Sequence, residues 1–421
     1  MIKKIFALLF LISSFTQAQH SIKGTMYPAP KTDWVILYKI EGAKQVFIQN
    51  TKIKIDTITT NNTEKIIGSF NFKLPEDAKV GTYRTTYNFN ANGALEFFYN
   101  KEDIAFSFNS TNPFQTVSFS ASKENILYNE YLTAIYKVQQ KLDSLQIAKI
   151  QDPNLNLEIE YKEAYNNVNT VQNKYLKISK DAYIHPFILA NAKNSSPVIL
   201  NSSKEYMEKM NSSYFDNIDF TNKNLLNSSY LINRINAYIF YLNSSDDKKT
   251  QQDLYKSSID TVIPKIKNDI FKKDAIEFLI SQFETIKNIE IIDVLFEKYY
   301  NKLPKSLQNE KFKEEKLAFL ATEVGRIAPD FSWKEDSKTL KLSQLKEAEN
   351  YLLVFWSTTC SHCLKDIPKA HSFFKENATV KVIGFAMEND ELGFNSFKNS
   401  LYGWHNVLGL GKWQNETARI Y

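Results

Sequence analysis

The hydrophobic period changes twice along the chain, and this constrains the fold more than any other feature. Between Ser21 and Phe119 the period is two. Phe70, Phe72 and Leu74 alternate with Asn71 and Lys73; Tyr83, Thr85, Tyr87 and Phe89 alternate with Arg84, Thr86, Asn88 and Asn90; Ile104, Phe106 and Phe108 follow suit. Such alternation buries one face of each strand, so an antiparallel β-sandwich or open barrel is expected over 19–121. Turn-forming residues at 28–30, 61–62, 77–81, 90–93 and 111–113 mark its connections. Near Ser122 the period lengthens to about 3.6. Leu127, Tyr131, Ile135, Val138, Leu142 and Leu145 form one stripe, closed by Asp152-Pro153, and Tyr161, Ala164, Val168, Val171, Tyr175 and Ile178 form a second. Two such helices joined by a short break are expected to pack antiparallel. Further helical patterns over 223–242, 251–267, 272–287 and 289–300 extend a helical domain to about 320. Beyond Glu323 the pattern becomes β-α-β-like: a strand over 351–355, a helix over 361–374, a strand over 380–387 and a helix over 390–401. The expected class is therefore multidomain α+β, with an α/β domain over 321–421.

Composition removes several function classes. Glycine is scarce, 11 residues in 421, and the nearest approach to a phosphate loop, Gly409-Leu410-Gly411-Lys412-Trp413, lacks the spaced first glycine and the hydroxyl residue after lysine. A net charge of only +5, spread evenly, gives no footprint for nucleic acid or an acidic membrane surface. Lys3 and Lys4 precede an apolar run over 5–12 and a Thr16-Gln17-Ala18 end. That is the pattern of an export signal, expected to be cleaved after Ala18, and the run is too short for a transmembrane helix. No stable membrane insertion is expected, and no cysteine lies near the cleavage site to carry a lipid.

Two cysteines remain, Cys360 and Cys363, in the run Phe355-Trp356-Ser357-Thr358-Thr359-Cys360-Ser361-His362-Cys363. An exported chain with a single closely spaced pair has not used disulfides as scaffolding, so the pair serves redox chemistry or a metal. At the start of a helix, free N–H groups and the positive end of the dipole favour a thiolate on the first sulfur, while the second lies one turn further on. His362 can donate to that thiolate or point into solvent. Asp366 can exchange a proton with Cys363 or be a solvated helix-face charge. Trp356 either shapes the site's surface or packs in the core.

These residues resemble the thioredoxin superfamily and, within it, the TlpA/ResA-like thiol–disulfide oxidoreductases of the bacterial envelope. The resemblance covers 325–374. Gly325-Arg326-Ile327-Ala328-Pro329-Asp330-Phe331 looks like the family's entry motif, Leu342-Ser343-Gln344-Leu345 like its Leu-Ser-x-Leu element, and Phe355-Trp356 through Cys363, with Asp366-Ile367-Pro368, like its active-site helix. It implies Cys360 as attacking thiol and Cys363 as resolving thiol, with His362, Asp366 and Trp356 as modulating residues and no cofactor. Protein disulfides would be the substrates and an upstream thiol or disulfide protein the electron-transfer partner, in the periplasm or cell envelope, with reduction as the favoured direction. The chain departs from the family in two places. Val354 stands six before Cys360, where thioredoxin has a buried Asp, and no proline follows Pro368 to supply the family's cis-proline loop. That loop is expected beyond Tyr421, in a continuation of the chain.

Rival chemistries are weaker. Cys360, His362 and Cys363, with His371, are soft and borderline ligands suited to copper or zinc delivery, but two cysteines fall short of the usual four-ligand structural zinc set. Ser357, three before Cys360, mimics a peroxidase motif, yet Leu353 stands where its proline would be. Leu364 follows Cys363 where covalent haem attachment needs His. A non-catalytic envelope binding protein is the remaining alternative.

Overall fold

The computed structural model describes residues 20–421 apart from 61, 90–92, 336 and 378. The leader expected over 1–18 lies outside the described residues, as do parts of the turns expected at 61–62 and 90–93. Among the described residues no helix is long and apolar enough to cross a membrane. The architecture is mixed α+β and divides into two units, one reaching Leu307 and the other running from Gln308 to Tyr421. Helix Glu310–Ala321, expected in the helical domain, thus belongs with the second unit, and the β and helical segments form one unit together.

In the first unit β1 (Ser21–Tyr27), β2 (Trp34–Glu41), β3 (Lys44–Lys52), β4 (Lys54–Thr60), β5 (Thr63–Lys73), β6 (Gly81–Thr86), β7 (Ala94–Tyr99), β8 (Ile104–Asn109) and β9 (Ser118–Ala121) make two sheets, in the orders β4-β5-β1-β8-β9 and β3-β2-β6-β7. One core joins them: Ile22, Met26, Phe70, Phe72 and Phe106 from the first sheet meet Val35, Leu37, Tyr83 and Phe97 from the second. Each such side chain contributes about 1.5–3 kcal/mol by leaving water. The expectation of a wholly antiparallel domain fails at β1, which pairs antiparallel with β5 but parallel with β8. β1 and β8 are far apart in sequence, so no hairpin forces them to run in opposite directions.

Alternation also fails in β6 and β7, which are buried on both faces. Their second face meets the helical region, where Phe98 packs on Phe187 and Tyr128 with ring centres 4.7 and 5.1 Å apart. Helices Lys123–Gln151 and Glu158–Ile178 run antiparallel, and Tyr131 near the start of one meets Tyr175 near the end of the other at 5.5 Å. The single helix expected over 223–242 is broken into Lys223–Leu226, Tyr230–Ala237 and a wider turn at Tyr238–Leu242.

In the second unit β10 (Ser332–Glu335) and β11 (Lys338–Lys341) form a hairpin, while β12 (Asn350–Trp356), β13 (Val380–Glu388) and β14 (His405–Leu410) form a parallel sheet in that order. β14, six residues long, was not foreseen. β13 is buried on both faces from Val382 onward. Val382 and Ala386 face one cluster, with Trp356, Ile367, Phe394 and Trp404, and Ile383, Phe385 and Met387 face another, with Trp333, Val407 and Ala418. Covering both faces is what a parallel sheet requires.

Candidate functional site

β12 ends at Trp356, a turn follows, and helix Ser361–Phe374 begins with Cys360 as its N-cap. An N-cap needs an acceptor for the first free N–H groups, ordinarily a side-chain oxygen. Here the sulfur serves: Cys363 donates its backbone N–H to Cys360 Sγ at 3.3 Å. Both cysteines are free thiols and partly buried. Cys363 packs at the margin of the cluster that holds Trp356 and Ile367.

This placement makes the two sulfurs chemically unequal. The hydrogen bond from the Cys363 thiol, followed by the backbone N–H groups of Cys363 and His362, pulls the Cys360 pKa below the ordinary thiol value. Burial, then the hydrogen bond it gives to Cys360, pushes the Cys363 pKa up. A thiolate therefore forms first on Cys360, and the proton stays on Cys363.

The turn before Cys360 is fastened by residues distant in sequence. Glu388, the buried last residue of β13, accepts the Thr358 N–H at 2.5 Å, and its own carbonyl accepts the Gly411 N–H at 2.9 Å. Lys412 Nζ donates to Thr359 Oγ1 at 3.2 Å, and the Cys360 N–H bonds the Ser357 carbonyl at 3.2 Å. Gly393 is required by close approach, because a Cβ there would lie 2.3 Å from Thr358 Oγ1. Glu388 and Gly393 were not singled out in the sequence, and Ser357, Gly411 and Lys412 were weighed there only in rival motifs. The readable signal was an acid, Glu388, closing a strand that is apolar from Val382 to Met387.

The other expected site residues separate. Trp356 is buried, 1% exposed, with its ring 5.1 Å from Phe397, so it is a core residue and presents no surface to a substrate. Asp366 is exposed and pairs with Lys369 at 3.0 Å, which makes it a solvated helix-face charge. His371 is buried, with Nε2 bonded to the Tyr402 carbonyl at 2.7 Å. His362 is exposed, and it is its backbone N–H, not its ring, that supports Cys360. Among the described residues no group of three or more His, Cys, Asp or Glu side chains is arranged to hold a metal ion. The two other motifs come together: Asp330 accepts the Ser343 N–H at 3.0 Å and hydroxyl at 2.6 Å. With Lys341 beside it, these bonds pull the Asp330 carboxyl down to about 2.

The His362 geometry makes a prediction. His362→Ala keeps the backbone N–H and should leave the Cys360 pKa where it is. His362→Pro removes that donor at a first-turn position that tolerates proline, and should raise it. The pH dependence of Cys360 alkylation measures both, and equal shifts in the two variants would assign the effect to the ring instead.

No protein-family model, curated protein or solved structure matches the chain.

Proposed function

We propose that this protein is a thiol–disulfide oxidoreductase of the cell envelope, with a thioredoxin-like second unit, that exchanges disulfides with protein substrates through Cys360 and Cys363. The observation that carries this reading is the unequal thiol pair at the junction of a parallel strand and a helix: an exposed-side sulfur with a lowered pKa and a more deeply packed one with a raised pKa. The charged and apolar leader read from the sequence supports the envelope location.

In the favoured direction the Cys360 thiolate attacks one sulfur of the substrate disulfide. A Cys360–substrate disulfide forms, the substrate S–S bond breaks, and the other substrate sulfur leaves as a thiolate that takes a proton from water. Cys363 then loses its proton and attacks Cys360 Sγ, which releases the second substrate thiol. The substrate gains two electrons and the protein is left with a Cys360–Cys363 disulfide. An upstream dithiol protein must reduce that disulfide for turnover.

Equilibration in glutathione buffers followed by thiol counting tests the reading. The expected result is a two-electron transition between dithiol and intramolecular disulfide, with a midpoint between about −270 mV and about −180 mV, the range from thioredoxin to disulfide isomerase. A protein that keeps both thiols through that range and does not accelerate reduction of a protein disulfide would sink it.

A further inference from the structure

The first unit contains a polar cavity that the redox reading does not use. It lies among helix Lys123–Gln151, the loop around Ser195, helix Ser203–Ser213 and helix Tyr230–Ala237, with a volume of about 110 Å³. At ~30 Å³ per water this is room for a few waters or one small ion.

Its electrostatics are one-sided. Lys193, Lys209 and Arg234 line it against a single carboxylate, Asp143, which already accepts from Gln139 Nε2 at 2.8 Å. Among the described residues none of the three cations has a carboxylate within ion-pair distance. Arg234 is held in place on two sides: its guanidinium stacks 3.9 Å from the Tyr214 ring centre and donates through Nη2 to the Tyr214 carbonyl at 3.2 Å. Its Nε is buried and has no protein partner. Lys193 is exposed as a residue, yet burial first and the field of Arg234 second hold its pKa below the ordinary lysine value. Crowding two cations into partly desolvated space, with the field of Asp143 offsetting only part of their repulsion, is costly, and an unmet buried donor adds to the cost.

We infer that this cavity is a binding site for a small oxyanion, a carboxylate, phosphate or sulfate group. Such a group supplies what the cavity lacks. One oxygen accepts from the fixed, planar Arg234 guanidinium, the negative charge offsets the repulsion between Arg234 and Lys193, and the lysine ammoniums act as point charges at the rim. Because Arg234 is already immobilised by Tyr214, binding requires little further ordering.

Calorimetric titration of the full chain with sodium phosphate, sodium sulfate and sodium acetate, each against sodium chloride of equal ionic strength, tests the inference. Saturable binding of at least one oxyanion is expected, accompanied by a rise in thermal midpoint with its concentration. Binding of acetate alone identifies a carboxylate site, and binding of phosphate or sulfate a site for tetrahedral anions. Arg234→Lys, which keeps the charge but loses the fork, and Lys193→Gln, at an exposed position, should each weaken binding at least tenfold. The inference fails if none of the three salts gives a saturable signal beyond chloride, or if binding is unchanged in Lys193→Gln.

Discussion

Cys360→Ser should abolish disulfide exchange, and Cys363→Ser should instead accumulate covalent mixed disulfides with substrate proteins. The asymmetry follows from where the sulfurs sit. Cys360 caps the helix, and its thiolate is held by N–H donors and by the Cys363 thiol. Replacing it with a hydroxyl removes the sulfur whose pKa is lowered, while burial still holds the Cys363 pKa up. Replacing Cys363 leaves an attacking thiolate but no group to displace the substrate from it. Cys363→Ala, which also deletes the hydrogen bond that the Cys363 thiol gives to Cys360, should shift attack to higher pH than in wild type. Non-reducing electrophoresis after incubation with a disulfide-bonded protein, followed by mass spectrometry of the adduct, measures both effects. Equal trapping by the two variants, or trapping through Cys363, would overturn the assignment of roles.

The parts of this site that the sequence disclosed are those encoded locally. A helix over 361–374 follows from an apolar stripe and a cysteine cap, and the structure gives Ser361–Phe374. The strand before it follows from an unbroken apolar run. What the sequence did not disclose depends on pairing across distance. Glu388 reaches Thr358 only because β13 lies beside β12 in parallel register, with Trp356 opposite Ala386. Trp356 next to a reactive pair reads equally well as a surface or a core residue, and the packing of Phe397 and Trp404 behind it decides for the core. In the first unit, β6 looked half-buried because its periodicity reports the sandwich face alone. The second face is covered by helices that lie dozens of residues further along, and alternation carries no information about them.

That second face also holds the position where a single substitution should cost the most stability. Asn125, 3% exposed, lies in the first turn of helix Lys123–Gln151 beside β7, an edge strand of its sheet. Its Oδ1 accepts the Phe98 N–H at 2.8 Å and its Nδ2 donates to the Phe98 carbonyl at 2.6 Å, so one side chain substitutes for a missing neighbouring strand. Nδ2 also reaches Ser122 Oγ, the helix N-cap, at 2.7 Å, which ties the cap to the sheet. Asn125→Ala leaves the backbone N–H and C=O of the buried Phe98 without this partner, and each orphan costs about 1–3 kcal/mol. A total loss of roughly 2–4 kcal/mol is expected, large against the 5–15 kcal/mol that holds a typical domain. Asn125→Asp should not rescue it, because a carboxylate offers the Phe98 carbonyl no donor and is itself costly to bury. Asn129→Ala, which deletes only a 3.3 Å bond to the Val117 carbonyl one turn on, serves as the mild control. Urea unfolding should show a lower midpoint with an unchanged slope for Asn125→Ala and little change for Asn129→Ala. Equal, small losses in the two variants would mean that Asn125 does not bridge helix and sheet in solution.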